Sequence, residues 1–278
     1  MANEKKHFGL EIFAILFMAL IVFVSVGPFL WVFLSSFKTN REILTFSWDM
    51  GSGIHIRNYI NAFKIAPIAR YFMNSVIVTA LAMALNLMFM SMAAYVLARC
   101  TFRFKTAIRT LFSIGLLIPG AALLLPLYTS IRAIGLYNNV WGLILVFTAF
   151  GMPTSVFIMS SYFLTIPKEM EESPYIDGAG FLRTFLVIML PLARPAFATA
   201  GIMQFLLCWN EFQFSLTLTT GHEARTLPVA LYYFKSAFAS DYGAMFAAIV
   251  LISIPSIIVY IALQKQIISG LAAGAVKG

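Results

Sequence analysis

Two stretches of this 278-residue chain hold residue types that could act on a solute or on a partner. The first is Trp209-Asn210-Glu211-Phe212, with Gln204 and Gln213 close by, inside an otherwise apolar segment. A carboxylate at the centre of a membrane helix costs at least ~2.5–3.5 kcal/mol, so it must face a cavity or a partner. Gln204 and Glu211 are seven residues apart, near two turns, so they are expected to share one helix face. Gln204, Asn210 and Glu211 then either line a transport pathway or hold helices together by hydrogen bonds. Both readings stand. The second stretch is PKEMEESPYIDGAGFLRTFLVIMLPLARP, Pro167 to Pro195, which sets several charges, two turn-forming glycines and a proline pair between strongly apolar neighbours. Catalysis finds no comparable support. The sequence carries no His-Cys metal spacing, no phosphate-binding glycine loop and no serine elbow. Its histidines are His7 near the terminus and His55 and His222 in segments expected outside the membrane, and Cys100 and Cys208 lie too far apart in sequence to suggest a disulfide or a metal site.

The elements that must position these residues follow from composition. Hydrophobic residues make up 61% of the chain and charged residues 11%, and mean hydropathy is +0.89. A soluble domain carries about 25% charged residues. The chain therefore reads as an all-α integral membrane protein, a single transmembrane domain over residues 1–278. A hydrocarbon core of about 30 Å needs about 20 apolar residues, and six segments meet that test: roughly 10–37, 71–97, 108–128, 140–164, 196–218 and 242–263. Gly27-Pro28 is expected to bend the first, and Pro119-Gly120 with Pro126 to bend or break the third. The first apolar run is too long for a signal-peptide core, so it is expected to be a retained span.

Basic residues set the orientation. With the N-terminus inside, Lys5, Lys6, Arg99, Arg103, Lys105, Arg109, Lys168, Arg183, Arg194, Lys265 and Lys277 fall on the cytoplasmic side. Most of the remaining bases sit in the long linker between Lys38 and Arg70, and long loops report orientation weakly. Six spans with both termini cytoplasmic is the consistent solution. The net charge of +8 is thus a membrane-anchoring signal beside lipid headgroups and not a nucleic-acid footprint. The hairpin at 167–195 falls in the cytoplasm, between spans four and five. Within it, Lys168 to Tyr175 is expected to form a short polar helix after Pro167, Asp177-Gly178-Ala179-Gly180 to turn, and Phe181 to Leu190 to restart a helix that Pro191 and Pro195 interrupt.

Glu172-Ser173-Pro174-Tyr175-Ile176-Asp177-Gly178-Ala179, followed by Phe185, Ile188, Leu190, Pro191 and Pro195, resembles the EAA loop of ABC importer permeases. Ser173 and Pro174 replace that motif's two alanines. Pro174 lacks an amide and would clash inside a helix, so the first helix is expected to kink or end early. Trp209 to Phe212 and the terminal Gly274-Ala275-Val276-Lys277-Gly278 are similar to the carbohydrate-uptake branch, the maltose-type permeases. The resemblance implies a multi-pass permease subunit of a bacterial cytoplasmic (inner) membrane, imports driven by ATP, and sugars or oligosaccharides as solutes. It implies a second permease subunit completing a heterodimer, a dimer of ATPase subunits holding ATP and Mg, an extracytoplasmic solute-binding protein and surrounding lipid, with no cofactor in this chain and no nucleic acid. Glu171, Glu172, Ser173, Tyr175, Asp177, Gly178 and Ala179 are then expected to dock on the ATPase, with Gly274, Ala275, Val276 and Lys277 reaching its dimer interface. A permease for a non-sugar solute, or an ion-coupled secondary transporter using Glu211, remain alternatives.

Overall fold

The computed structural model describes residues 2–46, 51–176, 178–234 and 241–275, with side chains described from 11 to 264 within those bounds. Its elements in order are α1 (Ala2–Ser35), α2 (Asn40–Leu44), α3 (Arg57–Ile65), α4 (Ile68–Arg99), α5 (Lys105–Gly115), a 3₁₀ turn (Gly120–Leu123), α6 (Leu124–Ala133), α7 (Val140–Phe163), α8 (Glu169–Ile176), α9 (Phe181–Thr184), a π turn (Phe185–Met189), α10 (Leu190–Leu192), α11 (Arg194–Asn210), α12 (Gln213–Leu218), a 3₁₀ segment (Leu227–Phe234) and α13 (Tyr242–Ala275). No strand occurs among the described residues. Among the described residues four helices are long and apolar enough to cross a membrane, and two bent helix pairs raise that to as many as six.

The chain divides into two compact units. One comprises residues 1–68 with 231–253. In it α1 runs as one continuous helix through Gly27 and Pro28. Its apolar side chains from Ile12 to Val26 are exposed, as on a helix facing lipid. The linker after α1 is folded onto itself. The Asn58 amide donates to the Ser36 and Lys38 carbonyls, each at 2.9 Å. A Cβ on Gly243 would come 2.5 Å from Asn58 Nδ2, so only glycine fits there. α2 opens on a capping box in which Thr39 and Glu42 satisfy each other's backbone amides. Hydrogen bonds from the Ser52 hydroxyl and from Thr39 hold the Glu42 carboxyl down at about 2.

The second unit comprises residues 69–230 with 254–278. Lipid tails are as apolar as leucine, so helices inside a bilayer associate through close packing and interhelical hydrogen bonds. Both devices join α4, α7 and α11. Asn86 on α4 donates to the Thr148 carbonyl at 2.9 Å and accepts from the Ser155 hydroxyl at 2.5 Å. Gln204 on α11 donates to the Phe147 carbonyl at 2.9 Å. Gly151 is what lets the Gln204 side chain lie against α7, because an added Cβ would sit 1.5 Å from Gln204 Oε1. Apolar cores flank this belt, one around Val78, Leu143, Phe147 and Leu218, the other around Tyr95, Met159, Phe163 and Met189.

The third expected span is broken, as Pro119-Gly120 suggested. α5 and the helical stretch from Gly120 to Ala133 meet at 100°. The Leu116 and Leu117 amides close on Ser113 and Ile114, and Pro119 brings no amide to leave unpaired. A second bend, of 76°, joins the stretch ending at Leu192 to α11, just before the fifth expected span. Its expected extent, 196–218, is corrected: α11 stops at Asn210, Glu211 is extended at ψ 124°, and α12 restarts at Gln213.

Two outcomes test these arrangements. Gly151→Ala is expected to lower the thermal unfolding midpoint of the detergent-solubilised chain, a cost of about 1–3 kcal/mol from overpacking, and Gln204→Ala in the same chain is expected to recover most of it. Unchanged unfolding in the glycine variant would show that Gln204 does not seat on Gly151. For the capping box, a depressed carboxyl stabilises above its ordinary value of 4.5 and loses that contribution as pH falls toward about 2. The Thr39 and Ser52 amide resonances are therefore expected to titrate near the low value, and a midpoint in the ordinary carboxylate range rejects the box.

Candidate functional site

The polar hairpin is a fastened root carrying an open tip. α8 starts with Glu169, Glu171 and Glu172 in its first turn, where negative charge meets the positive end of the helix dipole. Of the two outcomes expected at Pro174, a kink or an early end, the early end does not occur, since α8 runs on to Ile176. Pro174 removes one amide, but its carbonyl and that of Tyr175 are used to close the helix. The Ala179 amide donates to the Pro174 carbonyl at 2.8 Å and the Gly178 amide to the Tyr175 carbonyl at 3.1 Å. This is a Schellman closure, and Gly178 supplies its left-handed residue at φ +81°.

The helix that follows carries a further departure. Phe181–Leu190 is not one α-helix, because Phe185–Met189 form a π turn in which the Leu190 amide reaches back to Phe185. The wider turn buries Phe185 and Met189. Pro191 then lies in the first turn of the resumed helix, where a missing amide costs least. Pro195 sits likewise at the start of α11.

The root is held by α4. Arg99 Nε lies 2.5 Å from Glu171 Oε1, with the two side chains only 9% and 13% exposed. The Arg99 guanidinium also donates to the Ile166 carbonyl, and the Tyr95 hydroxyl donates to Glu171 Oε2 at 3.3 Å. Glu171 is therefore turned inward, unlike the neighbours with which it was grouped for docking. Glu172, Ser173, Tyr175, Ile176 and Gly178 are exposed, and Ala179 is half-buried. Met170 and Phe181 add exposed apolar surface to the same tip. Asp177 lies outside the described residues. So do Val276 and Lys277, while Gly274 and Ala275, expected to reach the ATPase dimer interface, are the last helical residues of α13.

The second polar cluster separates into three roles. Because α11 ends at Asn210, Gln204 and Glu211 do not share a helix face, which corrects the sequence-based expectation. Glu211 caps α12 instead: its oxygens accept from the Phe214 amide at 2.7 Å and the Ser215 amide at 2.9 Å. An anion at those unpaired donors is what a helix N-terminus favours. Asn210 is exposed and accepts from the Ser256 hydroxyl at 3.2 Å. Gln204 is buried but borders a cavity of about 330 Å³ with Gly151, Thr154, Ser155 and Leu207. His222 is paired with the buried Tyr71 hydroxyl at 2.6 Å. Among the described residues no cluster of His, Cys, Asp or Glu could hold a metal ion.

Arg99 and Tyr95 were not singled out in the sequence as site residues. Arg99 registered there only as an orientation marker, and Tyr95 carried no polar neighbour to flag it. The spacing of four residues on one helix face was the available signal.

Long apolar helices, two bent helix pairs and an acidic hairpin with an exposed tip describe a multi-pass membrane protein. Residues 90–272 match the family model described as "Binding-protein-dependent transport system inner membrane component", and the chain belongs to that family. Among relatives, the diacetylchitobiose uptake system permease protein NgcG of Streptomyces coelicolor is 38% identical over 253 residues, 90% of this chain and 84% of NgcG. The trehalose/maltose transport system permease protein MalG of Thermococcus litoralis is 32% identical over 268 residues, 93% of this chain and 94% of MalG. The fold is that seen in the crystal structure of a bacterial ABC transporter involved in the import of the acidic polysaccharide alginate, with a TM-score of 0.81 at 22% identity, covering 94% of this chain and 97% of that one. The chain is accordingly a transport component and not itself an enzyme.

Replacing Gly178 tests the hairpin closure directly. Gly178→Ala places a Cβ in the left-handed region at a cost of about 1–2 kcal/mol. The Gly178 and Ala179 amides are expected to lose hydrogen-exchange protection while α7 keeps its own. Equal protection in the variant and the parent chain would rule out the closure.

Proposed function

We propose that the chain is the permease subunit of an ATP-driven importer of sugars or oligosaccharides, working as half of a heterodimer. The observation that carries this reading is the hairpin: Glu172, Tyr175 and Ile176 stand exposed on a short helix whose other side is fastened to α4. An acidic residue beside a bulky apolar pair is a docking face, since the charge sets register and the apolar atoms supply contact area. The partner is a nucleotide-hydrolysing subunit, because the sequence has no nucleotide-binding motif of its own. In this reading the chain crosses a bacterial cytoplasmic membrane six times, each bent pair counting once, with both termini and the hairpin in the cytoplasm. The carbohydrate class rests on the relatives, named for diacetylchitobiose and for trehalose and maltose. Delivery by an extracytoplasmic binding protein follows from the family description.

Transport proceeds by alternating access: closure of the ATPase dimer, loaded with ATP and Mg, displaces the hairpin and rocks the helices between inward-open and outward-open states. Of the polar residues in the fifth segment, Gln204 is the pathway-lining candidate, because it borders a cavity. Both Glu211 oxygens are occupied by backbone amides, which argues against the ion-coupled alternative.

Glu172→Lys is expected to leave the chain in the membrane but to remove most of the co-purified ATPase and at least about tenfold of sugar uptake, since like-charge juxtaposition at an interface costs several kcal/mol. Uptake by this chain alone on a proton gradient, or unchanged uptake in the variant, contradicts the proposal. Titrating the cognate binding protein with a panel of oligosaccharides identifies the solute.

A further inference from the structure

Glu171 and Glu172 are adjacent in sequence and do opposite things. Glu172 is open to a partner, whereas Glu171 is spent inside the chain. Resting on the docking role proposed above, we propose that Tyr95, Arg99 and Glu171 form a latch that makes the hairpin move as one body with the C-terminal end of α4. They are positioning residues for coupling, distinct from the docking face.

The geometry brackets the hairpin from three sides onto one turn of one helix. Tyr95 and Arg99 lie four residues apart and so share a face of α4. Upstream of α8, Arg99 holds the Ile166 carbonyl. Within α8, Arg99 and Tyr95 together occupy both oxygens of Glu171. Downstream, the Tyr95 ring packs on Phe181 at 5.2 Å and stacks on Phe185 at 5.0 Å, while its edge meets Phe163 at the end of α7. An ion pair shielded from water is weakly screened, and a close-packed aromatic cluster transmits displacement instead of absorbing it. A push on the exposed tip therefore reaches α4 first. From α4 the displacement passes through Asn86 to Thr148 and Ser155 on α7, and α7 is tied to α11 by Gln204 at the cavity. The route has a rigid contact at each step, so it makes a claim about coupling that can be measured.

The test uses the complete transport complex, purified through a tag on this chain and reconstituted with its binding protein. ATPase retention, ATP hydrolysis and solute uptake are measured on the same preparation. Arg99→Gln and Glu171→Gln are expected to retain the ATPase and its hydrolysis while uptake per ATP falls about tenfold, within the range typical of coupling between sites. Arg99→Lys keeps the charge but loses the fork that reaches both Glu171 and the Ile166 carbonyl, and is expected to fall between the parent and Arg99→Gln. Glutamine variants with the parental uptake per ATP overturn the latch. So does loss of the ATPase, or of the chain from the membrane, in those variants, because the contact would then serve docking or folding alone. A parent complex that brings no ATPase refutes the docking role instead, and the latch falls with it.

Discussion

Where a helix breaks among apolar neighbours, the backbone groups it frees cannot turn to bulk water. That constraint organises most of what is distinctive in this chain. The break after Asn210 leaves the first amides of α12 without partners, and Glu211 supplies the acceptors. The break after Gly115 is closed by tightened 3₁₀-type bonds and by a proline that brings no amide to satisfy. At the exposed tip of the hairpin, where water is at hand, α8 still closes on itself through Gly178, and the wide turn at Phe185–Met189 carries the helix on to Pro191. Polar residues in an apolar chain therefore serve two masters, backbone repair and function. Position alone does not tell them apart: Glu211 looks like an ion site until its two oxygens are accounted for.

The same accounting explains the hairpin. Removing both Arg99 and Glu171 from water carries a desolvation cost of several kcal/mol per ion, and the Coulombic gain repays it only when the geometry is good and the remaining polar atoms find partners. Here the Tyr95 hydroxyl partners one oxygen of Glu171 and the Ile166 carbonyl takes one N–H of Arg99, while Arg99 Nε and Glu171 Oε1 meet only as an ion pair. An apolar contact of similar volume would hold α8 to α4 at least as well, so stability alone is a weak reason for an ion pair in this place. What the pair adds is a defined distance and orientation between the two helices, which a force-bearing element requires.

Much of the fold is legible in the residues. The segment expected at 140–164 is α7, Val140–Phe163, because Asn139 caps its start and a mostly apolar run without charges follows. The hairpin was legible because charges, glycines and prolines do not cluster by accident between apolar segments. Its left-handed closure follows from Gly178, and the third segment declares its break through Pro119-Gly120. The departures share one cause. Hydropathy averages over a window, so a single glutamate that ends a helix by capping the next one disappears into the apolar mean around it. A π turn has no side-chain signature at Phe185–Met189. A proline rule applied to Pro174 weighed the lost amide and not the two carbonyls that the closure takes up. Arg99 and Glu171 meet across seven tens of residues, and no local pattern announces such a pair.

The docking tip and the latch also explain why Glu171 and Glu172 differ so sharply. Successive residues on a helix are rotated by about 100°, given 3.6 residues per turn. Two adjacent acids therefore point about 100° apart, so one can turn to α4 while the other is left to a partner. One acid then belongs to the membrane unit and the other to whatever binds it. A short helix with an acid on each side is thus enough to join two bodies: one carboxylate fixes the lever to the helix it moves, and the other presents it to the body that drives it. If both acids faced outward, the tip could be bound tightly and still slip against α4. If both faced inward, the lever would be rigid with nothing charged to fix its register on a partner.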